Sequence, residues 1–397
     1  MSVRFMAEWL TLIGIGEDGL AGLSEASRAA LARAEVVFGG PRHLALIEHA
    51  DKRDWPVPFS LAPLLALRGQ AQVAALVSGD PFWHGAGGTL GQHLAPREWR
   101  SFPAPSVFSL AASRLGWRLE EVTCLGLHAA PLATLRRHLH AGQRLIVTLR
   151  DGAAPADLGR YLSDMGFGAS KLWVLERLGG PAECVTPKLA SDSIATTAAP
   201  VACAIEVAGE ASIGLATGRE DALFAHDGQI TKRPIRALAL SALAPRAGEV
   251  LWDLGSGSGS VAIEWLLTHP ANRAFGVERD PARAERARRN AAEFGLGGFT
   301  VIEGDSLSRL HDLPPPDAVF VGGGLGAELL EALWPRLPIG CRLVAHGVTL
   351  ETEGLLAFAH AQYGGQLLRL ELAEAAPLGT KRGWKSSYPV VQWRVVR

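Results

Sequence analysis

Lysine is scarce in this 397-residue chain, cysteine is scarcer, and neither sign of charge is in excess. With 39 basic and 40 acidic residues the formal net charge is −1. The chain therefore lacks the basic surplus that releases counterions from nucleic acid, and no nucleic-acid partner is expected. Lys52, Lys171, Lys188, Lys232, Lys381 and Lys385 are the only lysines; every other basic residue is arginine. That bias fits a skewed genomic composition as well as carboxylate recognition by the planar guanidinium; the scattering of the arginines favours composition. Cys124, Cys184, Cys203 and Cys341 form no C-x-x-C pair, which excludes zinc and iron–sulfur spacings and a disulfide framework, so no metal is expected. No stretch of about 18 apolar residues is present, so no membrane span is expected. Glu8 stands where a signal peptide would have its apolar run, and a cytoplasmic location follows as an expectation. Short repeats and strongly charged tracts are absent too.

What is present is a folded composition, 48% hydrophobic and 20% charged, on a chain long enough for two domains. Strands alternate with helices in both halves, which predicts α/β domains with covered sheets. In the first half Trp9–Ile13, Val36–Phe38, Ala74–Val77, Leu145–Leu149, Leu172–Leu175 and Val201–Val207 read as strands, and Ser24–Ala34 and Leu158–Met165 as helices. Signals weaken over 183–216, and the boundary is placed near residue 205, giving domains 1–205 and 206–397. The second half is more regular. Val250–Asp253, Ala274–Val277, Thr300–Glu303, Ala318–Val321 and Leu343–Ala345 read as five successive strands, with helices at Val261–Leu267, Pro281–Phe294, Ala327–Leu333 and Gly354–Tyr363. Gln366–Leu372 and Val390–Val396 follow as an antiparallel pair would. Pro281 after Asp280 is a helix-start signal.

The most informative segment is Asp253-Leu-Gly255-Ser256-Gly257-Ser258-Gly259, a strand running into a glycine turn and then a helix. Such a turn lets backbone amides approach a nucleotide closely. A dinucleotide fingerprint would place glycine at 260, where Ser260 stands. Asp253 would repel a pyrophosphate but attract the ammonium group of S-adenosylmethionine, so the methyl donor is favoured. Glu278 closes the next strand, about twenty residues past the turn, where an acid accepts ribose hydroxyls. Gly304-Asp305-Ser306 after the third strand is placed for an adenine contact, and Gly322-Gly-Gly324 after the fourth leaves room for substrate. Four features at successive carboxyl ends of parallel strands make a ligand site of the class I methyltransferase, Rossmann-like kind.

This half resembles the decarboxylating precorrin methyltransferase domain of cobalamin biosynthesis. The resemblance rests on Gln229-Ile-Thr-Lys-Arg-Pro-Ile-Arg236, the Asp253–Gly259 turn with Val261-Ala-Ile-Glu264, and Val348-Thr-Leu-Glu351. It covers nearly all of 215–395 and implies a donor contact from Thr231, backbone contacts across Gly255–Gly259, Glu278 on the ribose and a contact near Gly304. Pro234 stands where that family has an acid.

The first half is weaker on physics alone: Gly14-Ile-Gly16-Glu-Asp-Gly19 and Ser78-Gly79-Asp80-Pro81 are each only tight turns. With Gly39-Gly-Pro-Arg-His-Leu44, Ser109–Trp117 and Glu176-Arg-Leu-Gly-Gly180 they resemble the tetrapyrrole methylase family, in its precorrin C5-methylating branch, over about 9–205. This implies a fold of two α/β subdomains with a second donor site in their cleft, built from Gly14, Gly16, Gly19, Gly79, Asp80 and Pro81. The family's histidine-glycine-arginine run reads His128-Ala129-Ala130 here, so a substrate carboxylate contact would be weakened or would shift to a neighbour such as Arg136 or Arg137. His128 itself reads as a packed or surface histidine; His84 has the better claim to a role.

Together the two resemblances imply methylation of metal-free precorrin-6B at C5 and C15, with loss of the ring C acetate as carbon dioxide, giving precorrin-8X. Two S-adenosylmethionine sites and a homo-oligomer are expected. The donor is already activated, so no protein nucleophile is needed. Because the substrate carries many carboxylates, Lys232, Arg233 and Arg236 are candidates for the rim of the second site; a solvated helix start is the competing reading. His346 is a candidate acid for decarboxylation. The same reaction on a cobalt-containing substrate, a nucleic-acid or protein methyltransferase, and a non-catalytic assembly protein remain the alternatives.

Overall fold

The computed structural model describes residues 8–397, and the N-terminal reading on Met1–Ala7 lies outside them. The chain divides into two compact units, 1–132 with 138–212 and 133–137 with 213–397.

The first unit holds two five-stranded sheets. Strands β1 (Leu10–Ile15), β2 (Val36–Gly39), β3 (Lys52–Asp54), β4 (Val73–Ser78) and β5 (Trp99–Phe102) form an all-parallel sheet in the order β3-β2-β4-β1-β5. The central strands are near-continuous apolar runs because both faces are covered: β1 and β4 each bury five of six residues. The second sheet has the order β6-β7-β10-β8-β9, built from β6 (Val122–Gly126), β7 (Arg144–Thr148), β8 (Lys171–Glu176), β9 (Cys184–Leu189) and β10 (Val201–Glu206). Only β6 and β7 pair in parallel there; β10 runs antiparallel to β7 and β8. Helices Glu25–Arg33 and Ala154–Asp164 overlap the two expected helices. Strands β3, β5, β6 and β9 were not expected from sequence. All three residues of β3 are exposed, so the strand carries no apolar signal.

The second unit is a seven-stranded sheet in the order β13-β12-β11-β14-β15-β19-β16. Its parallel part is β11 (Val250–Leu254), β12 (Arg273–Glu278), β13 (Phe299–Glu303), β14 (Ala318–Val321) and β15 (Arg342–Gly347), with the order reversing at β11. The two added strands, β16 (Gln366–Leu370) and β19 (Val390–Val396), are antiparallel, as the sequence suggested. Between them β17 (Ala373–Leu378) and β18 (Lys381–Ser386) form a separate hairpin that the apolar pattern did not reveal. Asp280 caps the helix Pro281–Glu293 by accepting from Ala282 N–H at 2.8 Å. The helix Arg233–Leu243 takes Pro234 in its first turn, where a missing N–H costs nothing. No helix among the described residues is long and apolar enough to cross a membrane.

Candidate functional site

In the second unit the carboxyl ends of β11–β14 converge on a cavity of about 760 Å³, at the crevice where the strand order reverses. Strand β11 enters the glycine turn, and the helix Ser260–Thr268 starts directly after it. Gly257 (φ +55°) faces open space, whereas a Cβ on Gly259 (φ +75°) would come within 2.8 Å of the Phe299 ring. Gly257 thus leaves room for a ligand, while Gly259 lets the helix close against β13. Gly255, Ser256, Gly257 and Ser258 line the cavity; Gly259 does not.

Asp253 is buried, and its Oδ2 accepts from Ala262 N–H at 3.2 Å. Burial pushes its carboxyl from 3.8 up to about 7; the Ala262 amide opposes the shift and Glu278 adds to it. No basic side chain offsets the desolvation. Glu278 is held by the turn itself: Oε2 accepts from Gly257 N–H at 2.8 Å and Oε1 from Asp280 N–H at 3.0 Å. Each oxygen keeps a lone pair for a ligand hydroxyl. Gly304 N–H donates to the Glu278 carbonyl at 3.0 Å, and Gly304, Asp305 and Ser306 all line the cavity. One Asp305 oxygen is engaged in capping the short helix Ser306–Arg309, through Leu307 N–H at 3.0 Å. Ser256 Oγ is buried without a partner.

The basic residues separate sharply. Lys232 and Thr231 line the cavity. Arg233 does not; it donates to the Gly218 carbonyl at 2.9 Å and pairs with Glu220. Arg236 is withdrawn from the substrate rim altogether. Its side chain is fully buried, donating to Glu264 at 2.7 Å, to Asp221 at 2.9 Å and to the carbonyls of Thr231 and Arg219. Glu264, also fully buried, accepts in addition from Gly218 N–H at 2.7 Å and Arg219 N–H at 2.9 Å. Sequence reasoning missed this buried network because its partners are far apart in the chain. It also missed Arg279, a cavity-lining residue next to Glu278 that the same strand-end argument could have found.

His346, near the end of β15, lines the cavity although only 2% exposed. Its Nε2 lies 2.9 Å from Gln392 Oε1, directly across the β15–β19 pair. The Phe320 ring meets it edge-on at 5.1 Å. Burial lowers its pKa and the Gln392 bond partly restores it.

These residues fit S-adenosylmethionine. Asp253 is a desolvated acid awaiting a cation, Glu278 is an oriented acid with free lone pairs, and the turn between them has a side-chain-free face.

The first unit has its own smaller cavity, about 330 Å³, with Gly16 and Gly79 in its lining. The other expected residues shape the loops around it. A Cβ on Gly14 would run into the Gly79 carbonyl oxygen and the Ala104 nitrogen, so two backbones cross there. Gly19 has φ +58°, Asp80 Oδ1 accepts from Phe82 N–H at 2.8 Å, and the Pro81 carbonyl accepts from Gly87 N–H at 2.9 Å. Arg136 and Arg137 belong to the other unit and do not line this cavity. The arginine that does is Arg42, paired with Glu17 and donating to Ser78 Oγ at 2.8 Å. His43 beside it, 2.9 Å from Ser78 Oγ, is pushed down to about 4 by burial and then by Arg42. His128 also lines the cavity, its Nδ1 3.2 Å from Thr148 Oγ1. His84 stands close by, at φ +57°, with its pKa lowered by burial and by His128.

Comparison with known proteins follows the same division. Residues 9–192 match the tetrapyrrole (corrin/porphyrin) methylases, and residues 222–397 match the precorrin methyltransferase domain family. A precorrin-6Y C(5,15)-methyltransferase [decarboxylating] of Sinorhizobium sp is 49% identical over 399 residues, 98% of this chain and 96% of that one. Its namesake in Mycobacterium tuberculosis H37Rv is 39% identical over 403 residues, 98% and 100% of the two chains. The crystal structure of the C-terminal domain of precorrin-6Y C5,15-methyltransferase from Rhodobacter capsulatus is 49% identical, covering 47% of this chain and 100% of its own, with a TM-score of 0.46.

Proposed function

The chain belongs to the precorrin-6Y C(5,15)-methyltransferase (decarboxylating) family, and from that premise we propose how its two halves divide the reaction. Residues 206–397 methylate C15 of precorrin-6B and release the ring C acetate as carbon dioxide; residues 1–205 methylate C5, so that the product is precorrin-8X. The enzyme is an S-adenosylmethionine-dependent methyltransferase of cobalamin biosynthesis.

The observation that carries the assignment of the second half is the Asp253–Glu278 pair around a ligand-facing glycine turn. S-adenosylmethionine supplies an activated methyl group, so the protein's task is placement and exclusion of water. Asp253 holds the ammonium end and Glu278 the ribose, while the turn amides, Thr231 and the segment Gly304–Ser306 enclose the rest. Lys232 and Arg279 then remain as cations for the substrate's carboxylates. Arg233 and Arg236 hold the approach segment instead.

In the first half Gly16 and Gly79 border a second donor site, and Gly14, Gly19, Asp80 and Pro81 set the loops that form it. The enzyme therefore takes two donors per chain. We place it in the cytoplasm, acting on a small tetrapyrrole with no nucleic-acid partner. A homo-oligomer is supported by exposed Leu378, Trp384 and Tyr388 on and beside the β17–β18 hairpin.

The test is mass spectrometry of metal-free precorrin-6B incubated with the enzyme and S-adenosylmethionine. Gain of two methyl groups with loss of one carbon dioxide is the expected result. One methyl with decarboxylation would leave the first half without activity on this substrate. An unchanged mass would defeat the reading and direct the search to cobalt-containing substrates.

A further inference from the structure

Methylation and decarboxylation at the second site have linked proton requirements. When the methyl group passes from sulfur to the ring carbon, its old bonding pair stays on sulfur. The ring carbon's π pair makes the new bond, and that carbon must then give up its hydrogen as a proton. When the acetate loses carbon dioxide, the pair of the broken C–C bond enters the conjugated ring. The methylene left behind must gain a proton to become a methyl group. One proton departs and one arrives, and the charge lost from the sulfonium balances the carboxylate that leaves as a neutral gas. The two events need no net acid or base, only a group that takes a proton at one carbon and returns it at another.

We propose that Nδ1 of His346 is that relay, and that Gln392 is the positioning residue that fixes its tautomer. The inference rests on the C15-methylating, decarboxylating reading of this cavity. Gln392 Oε1 can only accept, so the ring nitrogen 2.9 Å away, Nε2, carries the hydrogen. The lone pair is thereby placed on Nδ1, which has no hydrogen-bond partner among the described residues and is not sealed off, in a residue that borders the cavity. Pairing of His346 with Gln392 across two adjacent strands and the Phe320 ring edge keep the imidazole from turning over. A relay must begin neutral with its acceptor atom free, and burial keeps this ring neutral. The charged groups that line the cavity, Lys232, Asp253, Glu278, Arg279, Arg283, Asp305 and Glu328, do not contribute to that shift. The only other contribution is the Gln392 bond.

Nitrogen-15 NMR of histidine-labelled full-length enzyme, with the His346 signals assigned by their loss in H346Q, reads the tautomer directly. The Nε2–H form is expected; a dominant Nδ1–H form overturns the proposal without any variant needing to be active. In assays on precorrin-6B, H346Q is expected to lose at least ~100-fold in coupled C15 methylation and decarboxylation, the range for one positioned proton-transfer group. C5 methylation and donor affinity should be unchanged. A rate within about threefold of wild type would overturn the relay. Q392E replaces the amide with a carboxylate that raises the imidazole's proton affinity, moving the acid limb of the pH–rate profile up by about one unit; an unmoved limb would remove Gln392 from its role. If wild-type enzyme leaves precorrin-6B unaltered, the functional reading fails. If the wild type acts and H346Q matches it, only this inference fails.

Discussion

On the proposed reading, in which both cavities take the donor, they would offer it opposite receptions. In the second unit the walls carry buried acids: Asp253, which no basic group offsets, and Glu278, held by the turn it faces. In the first unit the lining is mostly apolar, Leu110, Leu149, Leu175, Leu178 and Val201 among it, and the one acid there among the described residues, Glu17, is paired with Arg42. Recognition in the second cavity is therefore electrostatic and prepared by desolvation. In the first it relies on shape, on backbone crossings such as Gly14 over Gly79, and on a neutralised ion pair. On that reading one ligand would be bound twice in one chain, with the energetic cost placed in different groups.

The sharpest way to break this contrast is Asp253→Asn. Donor stoichiometry by calorimetry should fall from two to one per chain, with loss at the second site of at least ~100-fold, the scale for a charge-assisted bond left unmade in a buried site. Burial holds the Asp253 carboxyl far above 3.8, so the group costs the free protein stability increasingly as pH rises from about 4 to about 7, and in full above that. The variant should accordingly melt higher while binding less. A lower melting temperature with intact binding would show that the acid serves the fold. Gly14→Ala strikes the other cavity. Its methyl has no space between Gly79 and Ala104, and overpacking of this kind costs about 1–3 kcal/mol. C5 methylation should be lost with C15 methylation kept, read as a product with one new transferred methyl and one carbon dioxide lost.

A smaller effect concerns pH. The free Asp253 carboxyl holds its proton up to about 7, and an ammonium group binds only the carboxylate. Donor affinity at the second site should weaken by about tenfold for each unit below pH 7 and level off above it, with a proton released on binding in the acid range. Calorimetry in buffers of different ionisation enthalpy measures that proton. Equal pH dependence at both sites would erase the distinction between them.

Legibility in the sequence also differed between the halves. Strands buried on both faces, such as β11 and β14, announce themselves as apolar runs. Edge elements such as Lys52–Asp54 and the β17–β18 hairpin bury no apolar face and leave no period to read. The glycine turn and its place at the cavity were legible because the local geometry is set by neighbours in the chain. Arg236 was misread because its neighbours are Lys232 and Arg233, which suggest a basic rim, whereas its partner Glu264 lies 28 residues away and buries it. Gln392 was invisible for the same reason: its link to His346 exists only through strand pairing across 46 residues.

The Glu264 network also fixes where the polypeptide can be cut. Two of the hydrogen atoms that Glu264 accepts come from the backbone at Gly218 and Arg219, and Arg236 depends on Asp221 from the same stretch. A fragment starting at residue 222, the first residue matched to the precorrin methyltransferase domain family, would keep every strand of the second unit's seven-stranded sheet yet leave a buried anion short of donors. Such loss is worth roughly 3 kcal/mol, or ~10 °C in a unit of this size. A fragment starting at 213 retains the whole set. The short stretch ahead of the first helix is thus part of the domain's foundation, and the fragment starting at 222 should melt below the one starting at 213.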